Sequence, residues 1–228
     1  MPLFIVPAHV LNPDPVRAGV QATVISGGTA INGDETVIQT DGGGRIEITY
    51  GEFDLDEELP RRVWGVWQDE LAGGAMVVLA PVLKLENAPI PAGAADRAFV
   101  ANDAYFPISA GFVAPYVIAE TVGAANLRAT TITINMIQGA TLKPDTWFGF
   151  ERRAHKIKRI LSVSGSQYTV EFSPPLRHDV ADGTSVNFDW PVVQCRAVLG
   201  QDLIPSISLG KYGSISVAFV EDFSEIEE

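Results

Sequence analysis

Cysteine is almost missing from this sequence. A single one, Cys195, stands among 228 residues, so the chain can form no internal disulfide and no thiolate framework for a metal. Packing alone must hold the fold. Positive charge is scarce too: sixteen Lys and Arg against 28 Asp and Glu give a formal net charge of −12. Binding DNA or RNA through counterion release needs a positive field, which this composition does not supply. The three histidines, His9, His155 and His178, keep none of the spacings that bring two imidazoles to one metal, such as H-x-x-x-H or H-E-x-x-H. No apolar run approaches the roughly 18 to 20 residues of a membrane span. The opening MPLFIVPAHVLNPDP has no basic n-region, and prolines at 2, 7, 13 and 15 interrupt it, so it does not read as a signal peptide. The expectation is a soluble protein of a reducing compartment, with no cofactor, no metal, no nucleic-acid partner and no membrane span.

What is present points to β structure. With 46% hydrophobic residues the chain can bury a substantial core, as one large domain or two small ones. Twenty-one Gly and fifteen Pro, with β-branched residues between them, predict many short strands joined by turns. Ile46, Ile48 and Tyr50 alternate with polar residues after the turn DGGG, the period of a half-buried strand. In LDEELPRRVWGVWQDELAGG the period changes. Leu59, Val63, Val66, Trp67 and Leu71 recur at three- and four-residue spacing behind an acidic start, which predicts one helix with Trp64 and Trp67 dividing between the core and a neighbouring element. AMVVLAPVL reads as a strand buried on both faces. The Pro- and Ala-rich stretch 86–112 has no period and reads as an arm-like loop. From there Ile132, Ile134 and Met136 alternate, and turn residues separate four or five further runs, the pattern of a small barrel. Ile215, Val217 and Phe219 share the face of a last strand.

The predicted fold is therefore mainly β: an antiparallel sheet or sandwich with one helix, and an inserted small β-barrel. The divisions fall at 1–126 for the first unit, 127–199 for the barrel, and 200–228 for a strand returning to the first unit with an acidic tail.

One segment departs from the acidic composition. Residues 152–160, RRAHKIKRI, hold five of the sixteen basic residues: Arg152, Arg153, Lys156, Lys158 and Arg159. Ala154, Lys156, Lys158 and Ile160 fall on one parity and His155, Ile157 and Arg159 on the other, a mixture that fits a strand with a bulge or an edge. A guarded strand edge is one reading of the charges, and pairing with an acidic surface on a partner is another. A nucleic-acid contact would want exposed aromatics beside the cations, whereas Trp147, Phe148 and Phe150 look placed for the core. Catalytic signals are weak. SVSGS and VISGG lack the G-x-S-x-G nucleophile turn, and GGTAING and DGGGR lack the context of a phosphate loop. The acid pairs Asp54 with Asp56 and Asp179 with Asp182 could serve general acid–base chemistry on a sugar, but paired acids in turns more often face solvent.

DTWFGFERRAHKIKRIL, then YTVEFSPPLRHDVADGTSVNFDWPVVQCRAVL, and finally SISVAFVEDF resemble, in that order, proteins of the tail-tip region of long-tailed bacteriophages. The agreement with a P-P-L-R-x-x-V-x-x-G-T-x-V-x-F-x-x-P pattern runs through Pro174, Pro175, Leu176, Arg177, Val180 and Gly183 to Thr184, Val186, Phe188 and Pro191. RVWGVWQDELAGG also looks similar. His155 and Lys156 stand where such proteins usually carry an aromatic. The resemblance implies a non-enzymatic structural subunit of the distal tail or baseplate, located in the virion. It would form a homo-oligomeric ring, a hexamer by resemblance, that links the tail tube to hub and fibre or receptor-binding proteins. The five basic residues are then the candidate protein interface. Two other readings stay open: a carbohydrate-binding module or glycan-degrading tail component, and a tail-completion or tube subunit.

Overall fold

The alternation in Arg45–Asp54 decides the first layer. In the computed structural model, which describes residues 4–39, 42–83, 88–90, 117–208 and 213–224, this strand, β4, buries Ile46, Ile48 and Tyr50 at 1%, 1% and 0% exposure. It lies inside an antiparallel sheet. Strand β1 (Asp14–Gln21) pairs on one side of it and β13 (Gly213–Glu221) on the other, followed by β11 (Val192–Ala197) and β5 (Val77–Pro81), with β12 (Ser206–Ile207) hung on β13. At Gly51 the pairing with β13 shifts register, and the buried parity passes from Tyr50 to Phe53. Only glycine fits there, because a Cβ would stand 2.6 Å from the Pro15 carbonyl oxygen.

Helix α1 (Ala8–Leu11) and helix α2 (Glu58–Glu70) contribute to the core of this sheet. Trp64 is the anchor of α2. Its ring lies 5.3 Å from that of Phe53, and its Nε1 donates to the Leu203 carbonyl at 3.2 Å, so the polar edge of a buried indole is satisfied. Trp67 is half-buried on that same core beside Val63, so the two tryptophans do not divide between elements. Leu59 and Val66, placed on the inner face by spacing, are 54% and 62% exposed. The stripe actually buried is centred on Trp64, and seven-residue partners 59 and 66 lie together on its flank.

A second five-stranded sheet is made of β6 (Ile118–Val122), β7 (Thr131–Gln138), β10 (Gln167–Ser173), β9 (Arg153–Ser164) and β8 (Trp147–Phe150), in that spatial order. It curls into a half-barrel. Residues 180–187 bridge its two edges, Ser185 pairing with Glu120 of β6 and Asn187 with Gly149 of β8. The interior holds Ile134, Phe148, Phe150, Val170, Phe172 and Phe188, each 0–1% exposed. Strand β8 joins the units, since Trp147 packs in the first core while Phe148 and Phe150 pack in the second.

The barrel boundaries expected at 127 and 199 need correction. The second sheet already begins at Ile118, and β11 crosses to the first sheet, where it pairs with both β5 and β13. All of Val192–Cys195 is buried, so no alternation announces which sheet the strand serves. The loop reading of 86–112 lies outside the described residues except at 88–90.

Between β1 and β4 the chain makes a two-stranded ribbon, β2 (Val24–Thr29) and β3 (Glu35–Gln39), which extends the β1–β4 pair beyond the sheet. Every residue of both strands is exposed.

Candidate functional site

The five basic residues of the 152–160 segment do not form one patch. Lys156 pairs with Asp145 at 3.1 Å, and Lys158 and Arg159 share the carboxylate of Glu171 at 3.1 and 2.9 Å. The β9–β10 register explains the sharing. Arg159 stands opposite Glu171, and Phe172 pairs with Ile157, so Lys158 is the extra residue of a bulge and reaches the same acid. The mixed parity of the sequence is this bulge and a second one near Leu161. The edge reading holds in part: β8 covers β9 only from Arg153 to Lys156. Within the chain, Arg153, Lys156, Lys158 and Arg159 each have an acidic partner.

Arg153 points the other way, into the junction between the sheets. Its Nη1 lies 3.6 Å from Glu221 Oε1, and Arg177 Nε lies 3.5 Å from the same oxygen. The second oxygen, Oε2, accepts the Ile46 amide at 3.0 Å. Glu221 is 1% exposed at its side chain, and the two arginines 12% and 16%. Burial raises the Glu221 carboxyl above its ordinary range, while Arg177, the Ile46 amide and Arg153 pull it back. The Arg153 guanidinium is lowered by burial and supported by Glu221. This triad was missed in the sequence, although a signal existed: Glu221 continues the parity of Ile215, Val217 and Phe219, and a carboxylate at a core position requires a cation.

The triad gives a physical sense to two phrases of the sequence. In SPPLR, Leu176 is 0% exposed in the second core, and Arg177 turns back to Glu221 and donates Nη2 to the Gly44 carbonyl at 2.5 Å. In FVEDF, the guanidinium groups of Arg177 and Arg45 both lie over the Phe223 ring, at 4.5 and 4.8 Å from its centroid, a double cation–π contact.

Above the triad opens a cleft of about 810 Å³, within the roughly 300–1,000 Å³ that ligand sites span. Arg128, Arg152, Arg153, Arg177 and His178 line it, with Glu151 as the one acid among the described residues. Phe223 and Leu127, 39% and 53% exposed, add apolar surface. The Arg128 guanidinium is exposed and has no ion-pair partner among the described residues. Four arginines thus converge on one opening of a chain with net charge −12.

His155 belongs to none of this chemistry. It is 0% exposed, ringed by Phe148, Phe150 and Phe172 at centroid distances of 5.6, 6.0 and 5.1 Å. Its Nδ1–H donates to the Pro174 carbonyl at 2.8 Å. It therefore fills the position of the expected aromatic as a neutral, buried ring. The acid pairs act as loop fasteners: Asp179 Oδ1 accepts the Leu127 amide at 2.6 Å, Asp182 Oδ1 the Gly123 amide at 2.7 Å, and Asp56 Oδ1 the Gly213 amide at 3.1 Å. Alanine at Asp179 or Asp182 is expected to cost about 1 kcal/mol each by urea denaturation. A change indistinguishable from zero in both would show that these bonds hold nothing. No cluster of three or more His, Cys, Asp or Glu suited to a metal occurs among the described residues.

The β2–β3 ribbon is the second feature. Ile25 pairs across with Ile38, and Val24 and Val37 sit on the opposite face; these four are 57–58% exposed, and Ile31 at the tip is fully exposed. An isolated two-stranded hairpin is marginal in water, and aliphatic side chains on both faces serve no purpose in solvent. No protein-family model matches this sequence, and no curated protein matches it significantly.

Proposed function

We propose that this protein is a structural subunit of a bacteriophage tail tip. It is a distal-tail or baseplate component that assembles with its own copies into a ring and joins the tail tube to hub and receptor-binding proteins. The observation that carries the reading is the exposed β2–β3 ribbon with aliphatic residues on both faces: such an arm gains stability only when neighbours cover it. The order of the sequence phrases that resemble tail-tip proteins supports the same assignment. So does the use to which SPPLR and FVEDF are put, since both phrases build the joint between the two sheets. The glycan-binding alternative draws no support from the tryptophans, the natural platforms for sugar rings. Trp64 and Trp147 are buried, and Trp67 and Trp190 are half-buried.

The test is the mass of the purified protein by light scattering across a concentration series, with negative-stain images of the largest species. A closed ring of defined mass is the expected result. A monomer at every concentration, or a glycan ligand found on an oligosaccharide array, would replace the assembly reading.

A further inference from the structure

We propose that the tip of the β2–β3 ribbon of one copy plugs into the arginine cleft of the next copy. The inference rests on the assembly reading and names the two surfaces that meet.

The tip is built to be presented. The Ala30 amide donates to the Asp34 carbonyl at 2.8 Å and the Gly33 amide to the Ala30 carbonyl at 2.9 Å, closing a tight turn. Asn32 Nδ2 donates to Asp34 Oδ2 at 2.5 Å, and Ser26 Oγ donates to Glu35 Oε1 at 2.5 Å. Both carboxylates are therefore held by neutral donors. No Lys or Arg occurs between Arg17 and Arg45, and neither carboxylate has an ion-pair partner among the described residues, so the tip carries two negative charges beside the fully exposed Ile31.

The cleft offers the complement. Arg128 and Arg152 face the incoming carboxylates, Arg153 and Arg177 being engaged by Glu221, and its apolar wall at Phe223 and Leu127 meets Ile31. The plug and the socket do not belong to one molecule's own closure. Gly42, near the base of the ribbon, lines the cleft, and strands of six and five residues, at about 3.3 Å per residue, carry the tip roughly 16–20 Å away from that base. Each copy thus has a socket beside the root of its own arm and a plug at the far end. Contacts between two different surfaces of one chain run head to tail, and they close into a ring when the rotation permits. Exposed ion pairs add little affinity singly; the charges select and steer the docking, and burial of Ile31 supplies the apolar contribution.

Two charge-reversed proteins test this: Asp34→Lys with Glu35→Lys in the plug, and Arg128→Glu with Arg152→Glu in the socket. Arg128→Glu alone serves as the milder socket variant, and circular dichroism melts establish that each is folded. Each reversed protein alone is expected to assemble at least about tenfold more weakly than wild type. Mixed in equal amounts they should assemble again, because lysine tips then meet glutamate sockets and acidic tips meet arginine sockets. If wild type forms rings and the reversed proteins form them equally well, the plug-and-socket contact is wrong while the assembly reading stands. If wild type stays monomeric the assembly reading fails, and a cyclised peptide of residues 24–39 decides the contact by calorimetry. Binding to wild type but not to the Arg128→Glu protein supports it, and equal or absent binding overturns it.

Discussion

Exchange of Glu221 for alanine is expected to lower stability by about 3–5 kcal/mol, the range for removing one member of a buried ion pair, and the melting temperature by about 6–20 °C. Three losses combine at this position. The Ile46 amide loses its acceptor, Arg153 loses its carboxylate although its Nη1 still reaches the Asp222 carbonyl, and Arg177 keeps, among the described residues, the Gly44 carbonyl and the Phe223 ring. Two guanidinium groups are then left beside each other, 12% and 16% exposed, without the charge that made their burial tolerable. Glu221→Gln should fall between, since it keeps an acceptor for Ile46 but not the charge. A triple replacement by Leu at 221 and Met at 153 and 177 should recover much of the loss, because apolar residues of similar size remove the desolvation cost along with the attraction. Urea and thermal unfolding measure all three. An alanine protein melting within about 2 °C of wild type would mean that the junction is wet and the triad contributes nothing.

The junction also marks the limit of what the sequence discloses. Strands with one wet face are legible one residue at a time: Ile46, Ile48 and Tyr50 in β4, Ile132, Ile134 and Met136 in β7, and Val217 and Phe219 in β13 all lie on the predicted side. Strand β11 is not legible in this way. Buried on both faces from Val192 to Cys195, it has no period, and its partners β5 and β13 are fixed by packing between distant parts of the chain. The same holds for the site. Arg177 and Glu221 are 44 residues apart and Ile46 lies 175 residues before Glu221, so only parity hinted that the glutamate needed partners. The ribbon escaped notice for the opposite reason. Ile25 and Ile38 look like ordinary inward residues of a sheet, and nothing local says that β2 and β3 run past the sheet's end. The basic segment was visible, but its grouping was an accident of spacing: a turn sends Arg152 and Arg153 to the cleft, and the bulge at Lys158 settles two of the others on Glu171.

Acid is expected to destabilise this protein through His155. Burial depresses its pKa from 6.5 to about 3, and Arg177, His178 and Arg153 push in the same direction against the hydrogen bond to Pro174. The unfolded chain takes up a proton near pH 6.5 that the folded one refuses until about pH 3. The stabilisation is therefore complete above pH 6.5 and is lost progressively as pH falls through that window. One proton of difference is worth about 1.4 kcal/mol per pH unit, so the loss approaches about 5 kcal/mol across the whole interval, more than many domains possess to spare. Glu221 works in the opposite sense: its raised pKa lets the folded state take up a proton first, which favours folding as pH falls. Comparing wild type with His155→Phe separates the two, since the Glu221 contribution is common to both. The phenylalanine protein should be somewhat less stable at pH 7.5, where the Pro174 carbonyl is left without its donor, yet should lose stability less steeply between pH 6.5 and 4.5 by close to one proton's slope. Melting temperatures at half-unit intervals measure it. Parallel curves for the two proteins would mean that the imidazole is protonated in the fold and that its aromatic enclosure is open to water.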